Sequence, residues 1–209
     1  MISLKNDLQA VIDNNALWIK KFSQSAMVTL LKEPVINSEE GITSLMNCIQ
    51  TFSNYFQKTV MLRATLTDNL KFSVSAQQHL DEEYGHHMLI ASLRKHQPPH
   101  WDPILESTAA WFSWKMLTLD NIEKTLLVHL VLESSAVVFF QAAYEVLKKH
   151  DCAQYFSIHM ENDPSHETMG TDLLRNLREE EYSNLLLIQN QGWEVLITAG
   201  NRIASIVKD

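Results

Sequence analysis

Length, composition and charge exclude several classes of protein. The chain has 209 residues, 45% hydrophobic and 20% charged, a soluble profile long enough to bury a core in one domain spanning residues 1–209. A net charge of −8 and a pI near 5.6 argue against nucleic acid or an anionic membrane surface as partner. The N-terminus has no apolar signal-peptide core, so we expect a cytoplasmic protein.

The hydrophobic pattern is helical almost throughout, with no strand-like alternation of useful length. Ser38 and Asp120 are expected to cap helices, and the three prolines between residues 97 and 103 mark a loop. The pattern predicts an all-α bundle of about seven helices. They are expected at residues 4–32, 39–66, 70–96, 104–117 and 121–149, around residues 159–170, and at 179–207.

One predicted helix is apolar enough to suggest a membrane span. Residues 126–147 are nearly long enough to cross a bilayer, but His129, Glu133 and two serines interrupt the centre of the stretch. A helix that is apolar on nearly all sides is also typical of the middle of a large bundle. We therefore expect a buried core helix.

The segment HLDEEYGHHML, residues 79–89, contains a Glu-x-x-His spacing. On a helix this spacing places Glu83 and His86 on one face, as in di-iron carboxylate bundles. His79 lies one turn earlier and is able to join or support that face. The alternative is a solvated acidic turn with histidines beside it.

Glu133 lies among apolar residues on nearly every side. A lone ionised carboxylate in such surroundings is costly unless it is paired, protonated or bound to metal. Arg63 is the best candidate for a salt-bridge partner, but basic residues are scarce on the core faces, which favours a metal ligand. His129, one turn earlier, is expected to be a core histidine or a supporting partner.

The stretch HMENDPSHETMG, residues 159–170, sets His159, Asp163 and His166 at intervals of four and three. On a continuous helix they share one face. Pro164 opens an alternative, because Asp-Pro is a common helix start that would place His159 in another segment. A third arrangement is a helix kinked at Pro164 whose three side chains still converge.

Taken together, these segments supply three carboxylates and three histidines. Oxygen and imidazole ligands on helices suit iron, or alternatively manganese, better than structural zinc. Six ligands fit two metals with open positions. The proposed ligands are Glu83, His86, Glu133, His159, Asp163 and His166.

The order of these motifs resembles the haem-oxygenase-like di-iron oxidases, a family related to the death-domain-associating para-aminobenzoate synthase and the 1-alkene-forming fatty-acid decarboxylase. The resemblance covers about residues 40–175 and matches the six ligands one for one. It implies a seven-helix haem-oxygenase-like fold and two loosely held irons that activate dioxygen. In relatives the spacing varies, so Glu82 or His79 could replace Glu83.

The resemblance implies a non-haem oxidase or oxygenase whose partners are dioxygen and a small organic substrate. Haem is not expected, because no histidine precedes His79. Val137, Phe140 and Tyr144 would line an apolar substrate cavity or simply form core. Exposed helix faces are compatible with a homodimer.

Two other functions remain open at this stage. One is a non-enzymatic helical binding module on the same fold. The other is a thiaminase-like or cofactor-free enzyme that depends on Cys48 or Cys152.

Overall fold

A computed structural model describes residues 7–209, apart from the side chains of residues 161–165, 167 and 168. The described part is all-α and has no strand. A π-helical segment, Leu127–Glu133, joins α7 to α8 without a break, and short 3₁₀ turns lie at Pro34–Asn37 and Thr171–Leu174. The helices are α1 (Leu8–Ser23), α2 (Ala26–Leu30), α3 (Glu39–Thr65), α4 (Leu70–Glu83), α5 (His86–Leu93), α6 (Pro103–Thr118), α7 (Asn121–Leu126), α8 (Ser134–Leu147), α9 (Ala153–Thr168) and α10 (Glu179–Lys208).

Local sequence signals set most helix starts. The Ser38 hydroxyl accepts the Gly41 N–H at the start of α3, as predicted. Asp120 opens α7 with a capping box completed by Glu123. These caps satisfy backbone N–H groups that have no partner inside the helix.

The long apolar stretch is the centre of the bundle. Every residue from Leu126 to Glu133 is buried, and α8 packs against α9 while α10 packs against the π segment. Asn121–Leu147 is apolar and long enough to cross a membrane, yet 72% of its most apolar window is buried within the protein. This burial is consistent with the core helix of a soluble protein.

Two predicted helices are interrupted. Residues 4–32 divide into α1 and α2, because the chain leaves the helix at Gln24 and Ser25. The predicted helix over 70–96 divides into α4 and α5 at Tyr84-Gly85, where Gly85 takes φ +94°. Glycine adopts this left-handed conformation without a Cβ penalty. The prediction of one continuous helix was therefore wrong at the Glu-x-x-His motif.

Asp102 joins the start of α6 to α10. Its carboxylate accepts the N–H groups of Ile104 and Leu105 and two N–H groups of Arg202, at 2.7 and 2.9 Å. We expect Asp102→Ala to lower the free energy of unfolding at pH 7 by about 0.5–2 kcal/mol through the lost cap, measured by urea denaturation.

Asp102→Asn keeps a capping side chain and serves as the control for charge. Hydrogen bonding to Arg202 lowers the pKa of Asp102. The charge therefore stabilises the fold above the unfolded carboxyl pKa of about 3.9, and this contribution is lost as the pH falls through the folded value. The difference between wild type and Asp102→Asn should shrink in acid, and a constant difference from pH 7 to pH 3 would contradict this account.

Candidate metal centre

Five of the six predicted ligands meet where α4, α5, the π segment and α9 come together. Glu83 ends α4, His86 begins α5, and Glu133 ends the π segment. The two α9 histidines complete the group. Of these five side chains, His86 is partly exposed and the other four are buried.

The break at Gly85 shapes the Glu83–His86 pair. The two side chains do not share one helix face, yet Glu83 Oε2 lies 2.9 Å from His86 Nδ1. Gln57 on α3 holds this junction, because its Oε1 accepts the Gly85 N–H at 2.8 Å and lies 3.0 Å from His87 Nδ1. The junction therefore brings the two side chains together by a turn instead of by helical spacing.

Glu133 lies at the end of a π-helical segment that the sequence pattern did not predict. Segments of this kind are rare and often occur at functional sites. Its Oε1 accepts a hydrogen bond from His79 Nε2 at 2.9 Å, and its Oε2 lies 3.7 Å from His166 Nδ1. Among the described residues, the Arg63 guanidinium contacts His129 and His79 and forms no ion pair with Glu133.

Helix α9 runs without interruption from Ala153 to Thr168. Its backbone therefore excludes a helix that starts at Asp163. A kink at Pro164 remains a prediction, and the side chains of Asp163 and Pro164 lie outside the described residues. Helical spacing directs His159 and His166 to the same region, where His86 and His159 have ring centroids 5.0 Å apart.

One ring nitrogen of each α9 histidine is hydrogen-bonded to a partner outside the ligand cluster. The Nδ1–H of His159 donates to the Tyr155 carbonyl at 2.8 Å, which leaves Nε2 with its lone pair. The Nε2 of His166 bonds to Glu82 Oε2 at 2.8 Å, on the side away from Nδ1. Hydrogen bonds of this kind fix the tautomer and orientation of metal-binding histidines. Glu82 is thus placed as a partner of His166.

The possible ligand atoms form two overlapping groups among the described side chains, and within each group the atoms lie within 4.8 Å of one another. One group is His79, Glu83 and His166, and the other is Glu83, His86 and His159. Glu83 belongs to both, with Oε2 towards His86 and Oε1 at 3.1 Å from His166 Nδ1. A carboxylate that presents one oxygen to each group is arranged as a bridging ligand would be.

Two buried atoms in this cluster are left without a well-formed hydrogen bond. Glu83 Oε1 and His166 Nδ1 are close in distance, but neither makes an aligned hydrogen bond with any described residue. Leaving buried polar atoms unsatisfied costs free energy, and each such case in a native protein calls for an explanation such as a bound ion. The residues present therefore fit a metal.

The electrostatics show how the protein tolerates buried carboxylates without metal. Burial opposes the charge of His166, but the carboxylates of Glu133 and Glu83 beside its ring raise the pKa of His166 to about 11. Burial likewise opposes ionisation of Glu83 and Glu133, but neighbouring histidines lower the pKa of both carboxyls overall. A protonated His166 thus supplies a cation between the two carboxylates.

A mostly apolar chamber of about 130 Å³ adjoins the centre. Glu83, His86, Glu133 and His159 border one part of it. Of the three residues that could line a cavity or form core, Phe140 lines the chamber, whereas Val137 and Tyr144 are not among its lining residues. The remaining walls include Phe22, Ile49, Phe52, Phe56, Ala136, Phe139, Tyr155 and Leu196.

Both cysteines are buried in surroundings that disfavour the thiolate. Burial raises the pKa of the Cys48 thiol to about 12, and burial also raises the pKa of Cys152. The thiolate is the reactive form, so a raised pKa disfavours reaction at neutral pH. Neither cysteine lines the chamber. These observations disfavour the thiol-dependent alternative.

Sequence reasoning missed the hydrogen-bond network behind the centre. Arg63 on α3 bonds to His129, and His129 in turn bonds to the carbonyl of His166. His129 is buried and hydrogen-bonded through both ring nitrogens, which fits both roles expected of it, a core histidine and a supporting partner. The available signal for its partner was the rarity of a basic residue on a core face.

The described residues form an all-α bundle with a buried His/Glu cluster. A solved domain of unknown function from Shewanella denitrificans OS217, described as having a heme oxygenase-like fold, superposes with a TM-score of 0.69. The match covers 94% of this chain and 91% of that one at 15% sequence identity, so it shows the fold alone.

A closer sequence relationship identifies the family. The chain is 30% identical over 201 residues to the uncharacterized protein RP592 of Rickettsia prowazekii (strain Madrid E), with 96% of each chain covered. The chain belongs to the same family as this rickettsial protein. No protein-family profile matches it.

Proposed function

We propose that the protein is a non-haem di-iron oxidase or oxygenase that uses dioxygen to oxidise a small organic substrate in the cytoplasm. The observation that carries the proposal is the position of Glu83 between two histidines, with Oε2 2.9 Å from His86 Nδ1 and Oε1 3.1 Å from His166 Nδ1. The metal ligands would be Glu83, His86, Glu133, His159, Asp163 and His166. Two bound ferrous ions would supply the electrons for dioxygen reduction.

The protein's own residues supply the surroundings that such chemistry needs. His159 keeps Nε2 available because Nδ1 donates to the Tyr155 carbonyl. His166 turns Nδ1 inwards because Glu82 holds Nε2, and it must release a proton from Nδ1 before it binds a cation. Burial of the centre limits access by bulk water.

The chamber supports an apolar substrate of about the size of a single ring. Its volume of about 130 Å³ is close to the roughly 150 Å³ of an engineered apolar cavity that accepts benzene. Ala136 lies one turn after Glu133 and lines the chamber, so its small side chain leaves space beside that carboxylate. The aromatic walls would contact the substrate, and the Glu83 side would present it to the metals.

An anaerobic Fe(II) titration tests the proposal and separates it from a non-enzymatic binding module. Competition against a chromophoric chelator suits loosely held ions, and we expect about two irons per chain. Admission of dioxygen should then change the visible absorption of the loaded protein. Binding of no iron, or an unchanged iron affinity in Glu133→Ala, would refute the assignment.

A further inference from the structure

Behind the metal centre lies a fully enclosed arginine. Arg63 on α3 is 1% exposed and lies next to two histidines on other helices. Its Nη1 is 2.8 Å from His129 Nε2 and 3.5 Å from His79 Nδ1. Burial lowers the pKa of Arg63 to about 10, so the guanidinium stays charged at neutral pH.

The chemistry of arginine fixes the roles of both rings. A guanidinium has only donors, so each histidine nitrogen that faces Arg63 must accept. A neutral imidazole has one acceptor nitrogen and one N–H, so the other nitrogen of each ring must be the donor. The contacts on the other side of each ring are consistent with these roles, because both partners there are acceptors. His129 Nδ1 donates to the His166 carbonyl at 2.7 Å, and His79 Nε2 donates to Glu133 Oε1 at 2.9 Å.

These roles decide how His79 can act. Its Nδ1 faces the guanidinium and its Nε2–H is given to Glu133, so neither nitrogen offers a lone pair to a metal. His159 and His166 differ, since each holds one nitrogen on an outer partner and turns the other inwards. His79 therefore lies within the distance of a ligand from Glu83 and His166 but has the hydrogen bonding of a supporting residue.

We propose that Arg63 is a positioning residue of this centre. Through His79 it orients the Glu133 carboxylate, and through His129 it anchors the α9 backbone at His166, while His79 stays outside the metal shell. The inference rests on the proposed function only in treating Glu133 and His166 as ligands. Supporting partners of this kind typically change metal affinity by 10–100-fold.

Two variants at His79 separate a donor from a ligand. Glutamine is able to donate an N–H to Glu133, whereas leucine is not. Because glutamine keeps the hydrogen bond to Glu133, we expect His79→Gln to keep Zn(II) affinity within about threefold of wild type, a change no larger than the net contribution of one hydrogen bond. His79→Leu should bind Zn(II) about 10–100-fold more weakly. Equal, large losses in both variants would overturn the proposal, because a ligand cannot be replaced in this way.

Two variants at Arg63 test whether its guanidinium orients His79 and His129. Arg63→Lys retains a buried donor and should lose less Zn(II) affinity than Arg63→Met, which should fall by about 10–100-fold. Wild-type affinity in Arg63→Met would contradict the role. Thermal unfolding of each variant shows whether it folds, and if Arg63→Met does not, the His79 pair decides.

Nitrogen-15 spectra of histidine-labelled protein give a readout that a general structural defect would not reproduce. In the metal-free wild type we expect N–H at Nε2 of His79 and at Nδ1 of His129. After addition of Zn(II), both rings should keep these tautomers while the His86, His159 and His166 signals move. A metal-type shift at His79, or N–H at its Nδ1, would overturn the proposal. The metal-free tautomers are measurable even if the wild type binds no Zn(II), an outcome that would instead refute the proposed function.

Discussion

Replacing Glu83 with alanine is expected to abolish two-metal binding, with a loss of affinity beyond the 10–100-fold typical of outer partners. Among the described side chains, Glu83 is the member shared by both ligand groups. Its two oxygens face different histidines, at 2.9 Å from His86 Nδ1 and 3.1 Å from His166 Nδ1. On the proposed function, this one substitution would therefore remove a ligand from both metals. An anaerobic Fe(II) titration with a competing chelator measures the effect.

Asp81→Ala is the matched control for Glu83→Ala. Asp81 lies on the same helix, but it is exposed and bonds only to Gln77 among the described residues. We expect its iron stoichiometry and affinity to equal those of wild type. If Glu83→Ala also binds two irons with wild-type affinity, the bridging position assigned to Glu83 is wrong.

The helices were predictable because their signals are local. Apolar residues at helical spacing and caps such as Ser38 and Asp120 depend on a few neighbouring residues. The convergence around Glu133 was also foreseeable, since a carboxylate in an apolar helix needs a cation. This requirement and the spacing of His159 and His166 predicted that these side chains lie close together, and the metal site itself stays a prediction.

The interruptions were not predictable from the same signals. Gly85 lies inside a pattern that reads as helix on both sides, and its left-handed conformation is compatible with the contact that Gln57 makes with its N–H. The π segment that ends at Glu133 has no distinctive composition, because its apolar residues would suit either helical period. Such features are decided by packing against other elements, which a local pattern does not contain.

Charge compensation in the centre depends on residues far apart in sequence. Glu83 and Glu133 are buried, and breaking a buried charge pair is strongly destabilising. The protonated ring of His166 and the guanidinium of Arg63 supply the balancing positive charge in the metal-free protein. Metal binding at His166 Nδ1 would displace a proton, so the metal would take the place of the protonated ring as the cation between the two carboxylates.

The largest effect on stability is expected from Trp193→Ala. Trp193 on α10 is 0% exposed, and its ring centroids lie 6.5 Å from Trp18 and 5.6 Å from Phe22 on α1. Its indole N–H donates to Asn15 Oδ1 at 3.0 Å. Truncation of a buried tryptophan removes transfer free energy and leaves a cavity, which together cost about 3–5 kcal/mol.

That loss is a large share of the roughly 5–15 kcal/mol that stabilises a typical domain. Urea denaturation followed by circular dichroism measures it without relying on tryptophan emission. Trp114→Ala is the control, because Trp114 on α6 is 53% exposed and its truncation should change the free energy of unfolding by no more than about 0.5 kcal/mol. Similar losses in the two variants would show that α1 and α10 do not meet in a close-packed core at Trp193.

Because α10 also packs against the π segment that carries Glu133, a folded Trp193→Ala variant should have a metal affinity more sensitive to urea than that of Trp114→Ala.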